Sequence, residues 1–150
     1  MRIAVLSDTH DRVPPRLPER LREADEIWHL GDVCAPEVLG EIARLGPPLQ
    51  VVRGNCDTHE AWPLALELER EGVKFFLTHI PPDFAKAPSD RPAGMAAILH
   101  GHTHVARDEM IDGVRWLNPG AVTRPRAGAA SWAWLTVARG KLTRWETMRI

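Results

Sequence analysis

Apolar positions follow two rhythms along this 150-residue chain, and the change falls soon after Arg53. Before it, short apolar runs alternate with segments of helical spacing. Arg2–Ser7 carries Ile3-Ala-Val-Leu, which predicts a buried strand. Pro14–Ala24 takes helical spacing from Pro18 onward, with Leu17 and Leu21 on one face and Pro15 and Pro18 marking its start. Glu26–Leu30 predicts a second strand. Pro36–Leu45 predicts a helix with Val38, Leu39, Ile42 and Leu45 as its apolar stripe, closed by Gly46-Pro-Pro. Leu49–Arg53 completes a β-α-β-α-β series, which implies a parallel sheet with right-handed crossovers.

Beyond Arg53 the period drops toward two. Leu64, Leu66 and Leu68 alternate with Ala65, Glu67 and Glu69, a pattern that fits a half-buried strand or a short helix. Val73–Thr78 follows across Gly72 as a hairpin partner would. Pro81–Gly94 holds Pro81, Pro82, Pro88 and Pro92, so it predicts a loop with at most one helical turn. Ala96–His100 predicts another strand. Glu109–Ile111 and Val114–Leu117 flank Asp112-Gly113, the strongest hairpin signal in the chain. Ser131–Val137 and Leu142–Met148 flank Arg139-Gly140 in the same way. An α/β half is thus followed by a mostly antiparallel half, with no repeat or linker between them.

Composition narrows the field. The length suits a single domain spanning residues 1–150, and 44% hydrophobic with 26% charged residues is ordinary for a globular chain. The net charge of −1 offers no global field to attract nucleic acid or an anionic membrane. The first apolar run ends at Ser7-Asp8, and no run approaches the ~18 residues of a membrane span. A soluble cytoplasmic protein is the expectation. Two cysteines, Cys34 and Cys56, make no disulfide framework.

The chemistry lies where the apolar runs stop. Asp8 and His10 (Ser-Asp-Thr-His), Asp32 (Gly-Asp), Asn55 (Gly-Asn-Cys-Asp), His79 (Leu-Thr-His), and His102 and His104 (Gly-His-Thr-His) each follow such a run. Side chains at the carboxyl ends of strands in an open sheet can converge on one point. Gly31, Gly54 and Gly101 each precede one of these residues and would let the backbone turn sharply. Two carboxylates, one carboxamide and four imidazoles are about what two divalent cations need if one carboxylate bridges them. Two dications facing only Asp8 and Asp32 as anions leave net positive charge, which would hold a phosphoryl oxygen and acidify a bridging water. No thiolate is required, which argues against a structural cysteine-rich zinc site. Taken singly, Asp8-Thr-His10 fits a helix cap, and Gly31-Asp32 and Gly54-Asn55 fit turns. Their joint order favours a dinuclear site.

In that order, Asp-x-His, Gly-Asp, Gly-Asn-x-Asp, Thr-His and Gly-His-Thr-His resemble the calcineurin-like metallophosphoesterases. Gly-Asn-Cys-Asp, Gly-His-Thr-His and Asn118-Pro-Gly resemble especially the small bacterial and archaeal phosphodiesterases, a branch shared with the scaffold subunit of retromer. The resemblance covers residues 2 to about 137. It implies a four-layer αββα fold, two mixed β-sheets flanked by helices. It implies one metal held by Asp8, His10, Asp32 and His104, and a second held by Asp32, Asn55, His79 and His102. It implies in-line attack on phosphorus by a hydroxide bridging two divalent ions, manganese first, with nickel, zinc, cobalt or iron as alternatives.

Three departures qualify the resemblance. Many family members have histidine where this chain has Cys56, and a thiol is a weak proton donor. Good leaving groups, and phosphodiesters rather than alkyl monoesters, are therefore expected as substrates. Ile80-Pro-Pro follows His79 where glycine is usual, so the loop to Gly94 should shape the cleft. Ala121 stands where a serine is usual after Asn-Pro-Gly. Among the remaining residues, Asn55 and Cys56 are candidates for substrate contact, with Arg124 a candidate for a phosphate oxygen and His59 a weaker one. Asp57 is a candidate to orient Cys56 or a ligand, or to stabilise a turn. His29 reads as a sheet-face or supporting residue, and His100 as structural. Two functions compete with the hydrolase: a scaffold that kept the fold and lost catalysis, and, third, a nuclease, which the lack of a basic stripe disfavours. The expected partner is a small phosphodiester or phosphate ester, with no membrane and no extended nucleic acid. A homo-oligomer built on the carboxyl-terminal hairpins stays open.

Overall fold

The computed structural model describes residues 1–150. The first three strands, β1 (Arg2–Leu6), β2 (Glu26–His29) and β3 (Leu49–Val51), are linked by α1 (Leu17–Leu21) and α2 (Pro36–Ala43). They pair in parallel, as the β-α-β-α-β pattern predicts. A second sheet holds β4 (Ala65–Arg70), β5 (Val73–Thr78), β6 (Ala97–Leu99), β7 (Arg107–Ile111) and β8 (Val114–Asn118) in the order β4-β5-β6-β8-β7. The last two strands, β9 (Ser131–Ala138) and β10 (Lys141–Arg149), return to the first sheet and extend it to β10-β9-β1-β2-β3. No helix is long and apolar enough to cross a membrane.

Strand alternation distributes the apolar side chains among three cores. Ile3 and Val5 of β1, Trp28 of β2 and Leu135 of β9 face Phe75, Leu77, Ala97, Leu99 and Leu117 of the other sheet, all fully buried. The Trp28 and Phe75 rings meet edge to face across this layer at 5.2 Å. The intervening residues Ala4, Leu6, Ile27, Trp132 and Trp134 face outward onto Leu17 and Leu21 of α1 and Val38, Leu39 and Ile42 of α2. Both faces of β1 are therefore covered, which is why it reads as a continuous apolar run. The outer face of the second sheet carries Ile98, Val114 and Trp116, capped by Met95 and Phe84. The expected two-sheet sandwich stands, but its fourth layer is the 81–94 segment with one 3₁₀ turn at Pro88–Asp90. Four prolines in that segment prevent a longer helix there.

Three hairpins share one turn. Glu71-Gly72, Asp112-Gly113 and Arg139-Gly140 all place both residues at positive φ, between 48° and 76°. Such turns match the twist of the flanking strands. The Leu64–Leu68 ambiguity resolves as strand β4. The division into an α/β half and a mostly antiparallel half holds only for the hairpins: β5, β6 and β8 pair in parallel at the centre of the second sheet, and β9 pairs antiparallel with β1 across the two halves. Helix α1 is shorter than its pattern suggested, ending at Leu21.

The strands set the stage for chemistry. Strands β1, β2 and β3 run parallel in one sheet, and β5, β6 and β8 run parallel in the other. The loops leaving their carboxyl ends carry all seven predicted donors.

Candidate metal centre

The loops are unusually tight. Asp8, His10, Asp32, His102 and His104 all have φ between 39° and 66°, a region that costs a non-glycine residue roughly 1 kcal/mol or more. Hydrogen bonds between loops offset this cost. The Asp8 and His10 amides donate to the carbonyls of Gly31 and Asp32 at 3.0 and 3.1 Å, and the Thr123 amide donates to the Asp8 carbonyl at 3.1 Å. The glycines act differently from the sequence expectation. Gly31 does turn at φ +90°, but Gly54 and Gly101 have no positive φ and are required by crowding. A Cβ on Gly54 would collide with the Asp32 carboxylate and amide, and one on Gly101 with the Ser7 hydroxyl.

Two groups of donor atoms result. Asp8, His10, Asp32 and His104, all buried, each place one donor atom within 4.8 Å of the others. His104 Nε2 lies 3.0 Å from Asp8 Oδ1, and His10 Nε2 lies 3.4 Å from His104 Nε2 and 4.0 Å from Asp32 Oδ2. On the other side of Asp32, its Oδ1 is 3.4 Å from His79 Nε2. Asn55 Oδ1 sits 3.0 Å from that same nitrogen and 2.8 Å from His102 Nδ1. Asp32 therefore turns one oxygen toward each group.

Proton placement tests whether a cation fits. His104 Nδ1 donates to the Arg124 carbonyl at 2.8 Å, so a neutral His104 presents a lone pair at Nε2. That lone pair faces the Asp8 carboxylate, and both buried Asp8 oxygens lack a hydrogen-bond donor. His79 Nδ1 likewise donates to the Leu30 carbonyl at 2.7 Å, leaving Nε2 aimed at two oxygens. Lone pairs crowded against lone pairs, with a buried carboxylate unpaired, are what a divalent cation relieves. The donor set fits such ions.

A family model of the calcineurin-like phosphoesterase superfamily domain matches residues 1–140. The chain belongs to that superfamily. A probable metallophosphoesterase of Methanothermobacter thermautotrophicus is 30% identical over 139 residues, covering 84% of this chain and 80% of the relative. A phosphodiesterase of Methanocaldococcus jannaschii is 27% identical, covering 80% and 83%. Among solved structures, zinc-complexed Vps29 of Entamoeba histolytica superposes with a TM-score of 0.80 at 21% identity, covering 100% of this chain and 98% of that one. At that identity the likeness concerns the fold.

Electrostatics at this centre follow from burial and charge. Burial opposes ionisation of Asp32, but the His79 imidazole and the Cys56 amide outweigh it and hold the carboxyl well below its ordinary range. Burial also pulls His79 down, yet Asp32 and the Leu30 carbonyl prevail and push it up. The site thus favours positive charge at His79 Nε2, which a proton or a metal ion supplies. Burial lowers His10, only partly offset by Asp8 and Asp32.

Supporting residues divide clearly. Asp57 accepts three backbone N–H groups, from Asp32 at 2.9 Å, Cys34 at 2.8 Å and Gly54 at 2.7 Å. It fastens the Asp32 loop to the Asn55 loop. Cys56 is exposed at the cleft and donates its amide to Asp32 Oδ1 at 2.8 Å. Its thiol is pushed up by burial and by Asp32. Arg124 and Arg126 line an open cleft of about 350 Å³ together with His10, Asn55, Cys56 and His102. His59 instead stacks on Trp62 at 4.8 Å and lies outside that cleft lining.

His29 is fully buried and held neutral by desolvation, with its pKa down at about 4. It accepts from the Gly31 amide through Nδ1 and bonds the Thr9 hydroxyl through Nε2. His100 is similarly lowered to about 4 by burial, and it receives Arg107 Nη1 on Nε2 at 3.3 Å. Asn118 stands out in the sequence only as part of Asn-Pro-Gly. It buttresses the histidine loop, donating to the Gly101 carbonyl and the Thr103 hydroxyl. Cys34, which the sequence shows only to belong to no disulfide framework, has its sulfur 3.4 Å from His10 Nδ1. No spacing rule forecasts that contact.

Proposed function

We propose that this superfamily member is a phosphodiesterase working with two divalent cations. One would be held by Asp8, His10, Asp32 and His104, the other by Asp32, Asn55, His79 and His102. Manganese is the first choice of metal, with nickel, zinc, cobalt or iron as alternatives. The observation that carries this reading is the buried, unpaired Asp8 carboxylate at the centre of a converging donor set. When bound, the ions supply Lewis-acid activation of water and charge neutralisation at the phosphoryl group.

The chain's own residues define the rest. Asp32 offers its two oxygens to opposite sides while the Cys56 amide fixes its rotamer. His79 and His104 are locked with Nε2 inward by the Leu30 and Arg124 carbonyls. Arg124 and Arg126 extend the cleft with charge suited to a phosphate oxygen. No strong proton donor faces the leaving-group side, since Cys56 keeps its proton tightly and donates weakly. Activated diesters should therefore be cleaved in preference to alkyl monoesters.

The second reading is a scaffold that kept this fold and lost catalysis, with which the fold likeness to Vps29 is equally compatible. One experiment separates the two. Bis(4-nitrophenyl) phosphate is offered with manganese, nickel, cobalt or zinc, and His79→Ala and Asn55→Ala serve as controls. Metal-dependent turnover lost in both variants supports the hydrolase. Absence of turnover with every metal supports the scaffold.

A further inference from the structure

Beside the proposed centre lies a second cluster with a different chemical character. His10, Cys34 and Cys56 bring one donor atom each within 4.8 Å of one another. Cys34 and Cys56 are the only cysteines in the chain, 22 positions apart, and both are free thiols. Neither backbone is loosely placed. The Cys34 amide is bonded to Asp57 and the Cys56 amide to Asp32. Cys34 is moreover held at φ 65°, a conformation cysteine seldom adopts. Its sulfur faces His10 Nδ1, the ring nitrogen turned away from Asp8 and His104. Asp57 and Asp32 thus set an anion against the backbone of each cysteine, while Arg124 and Arg126 line the open cleft that His10 and Cys56 share.

We propose that His10 Nδ1, Cys34 Sγ and Cys56 Sγ form a separate site for a thiophilic d¹⁰ dication such as zinc or cadmium. Two thiolates and an imidazole suit such an ion, and a water completes four-coordination. On binding, each S–H gives its proton to solvent and two metal–sulfur bonds form, with no change in oxidation state. The neighbouring donors, oxygen and imidazole, suit harder ions, so the two sites differ in preference.

The consequence is antagonism. A neutral imidazole has one lone pair. His10 can serve the cluster of Asp8, Asp32 and His104 through Nε2, or the sulfur cluster through Nδ1, but not both. Filling the sulfur site withdraws a ligand from the proposed catalytic centre. This inhibitory effect rests on the phosphodiesterase reading; the existence of the sulfur site does not.

The test uses the reduced, manganese-loaded chain titrated with cadmium chloride. Thiolate-to-cadmium charge transfer gives ultraviolet absorption that oxygen and imidazole ligands do not, so any such band here reports Cys34 and Cys56. The expected result is a band that saturates and is lost or at least halved in both Cys34→Ala and Cys56→Ser. Far-ultraviolet circular dichroism verifies that the variants are folded. A wild-type titration without the band, or a band unchanged in Cys34→Ala, overturns the proposal. Turnover on the chromogenic diester is read in the same samples. A band without diester activity at any metal leaves the sulfur site standing and removes the phosphodiesterase reading.

Discussion

Replacing Asp57 by alanine probes how the centre is held together without touching any proposed metal ligand. The carboxylate accepts the amides of Asp32, Cys34 and Gly54, at 2.9, 2.8 and 2.7 Å. Asp57 is partly exposed, so each orphaned N–H is worth about 1 kcal/mol and the set about 3 kcal/mol. For a domain of this length that corresponds to a Tm lowered by about 6–12 °C. The loops bearing Asp32 and Asn55 would lose their shared anchor, and manganese affinity should fall about 10–100-fold, as for other supporting carboxylates. Asp57→Asn should be intermediate. Its remaining oxygen can keep the Asp32 and Gly54 bonds, while its amide nitrogen would meet the Cys34 N–H donor to donor. Thermal melts with and without manganese, together with a metal titration, read both effects. A variant that melts within about 2 °C of wild type and binds manganese equally well would refute the anchoring argument.

Other outcomes follow from the same geometry. Gly101→Ala drives a Cβ into the Ser7 hydroxyl and against Asp8, and should cost about 1–3 kcal/mol in urea unfolding along with metal affinity; an unchanged midpoint would contradict the crowding argument. His29 and His100 are neutral in the fold down to about pH 4, whereas the unfolded chain binds protons below about 6.5. Their stabilisation is complete above that value and is lost as pH falls toward 4, by about 2 kcal/mol each between pH 7 and 5, which urea midpoints would record; equal midpoints would count against buried neutral histidines. Arg124→Ala and Arg126→Ala should raise KM for the diester several-fold more than they lower kcat. An effect confined to kcat would move the arginines away from phosphate binding.

Much of this molecule could be read from residue patterns because the patterns have local causes. Continuous runs such as Ile3-Ala-Val-Leu mark strands covered on both faces, and X-Gly pairs mark hairpins whose turns need positive φ. The seven donors are legible because their clusters directly follow apolar stretches. Long-range pairing was less accessible. Nothing in Ser131–Ala138 announces that it will lie beside β1, since antiparallel partners are chosen by global packing. The glycine roles are only half legible, because a close approach such as Gly54 against Asp32 depends on two loops meeting. For the same reason the Cys34–His10 contact and the stacking of His59 on Trp62 leave no mark in spacing.

The most direct test of the dinuclear centre is anomalous scattering from a crystal grown with manganese. Two peaks roughly 3.5–4 Å apart are expected, with Asp32 between them and Asp8 no longer unpaired. A single peak, or none against Asp8, Asp32 and His79, would contradict a two-ion site built from these residues.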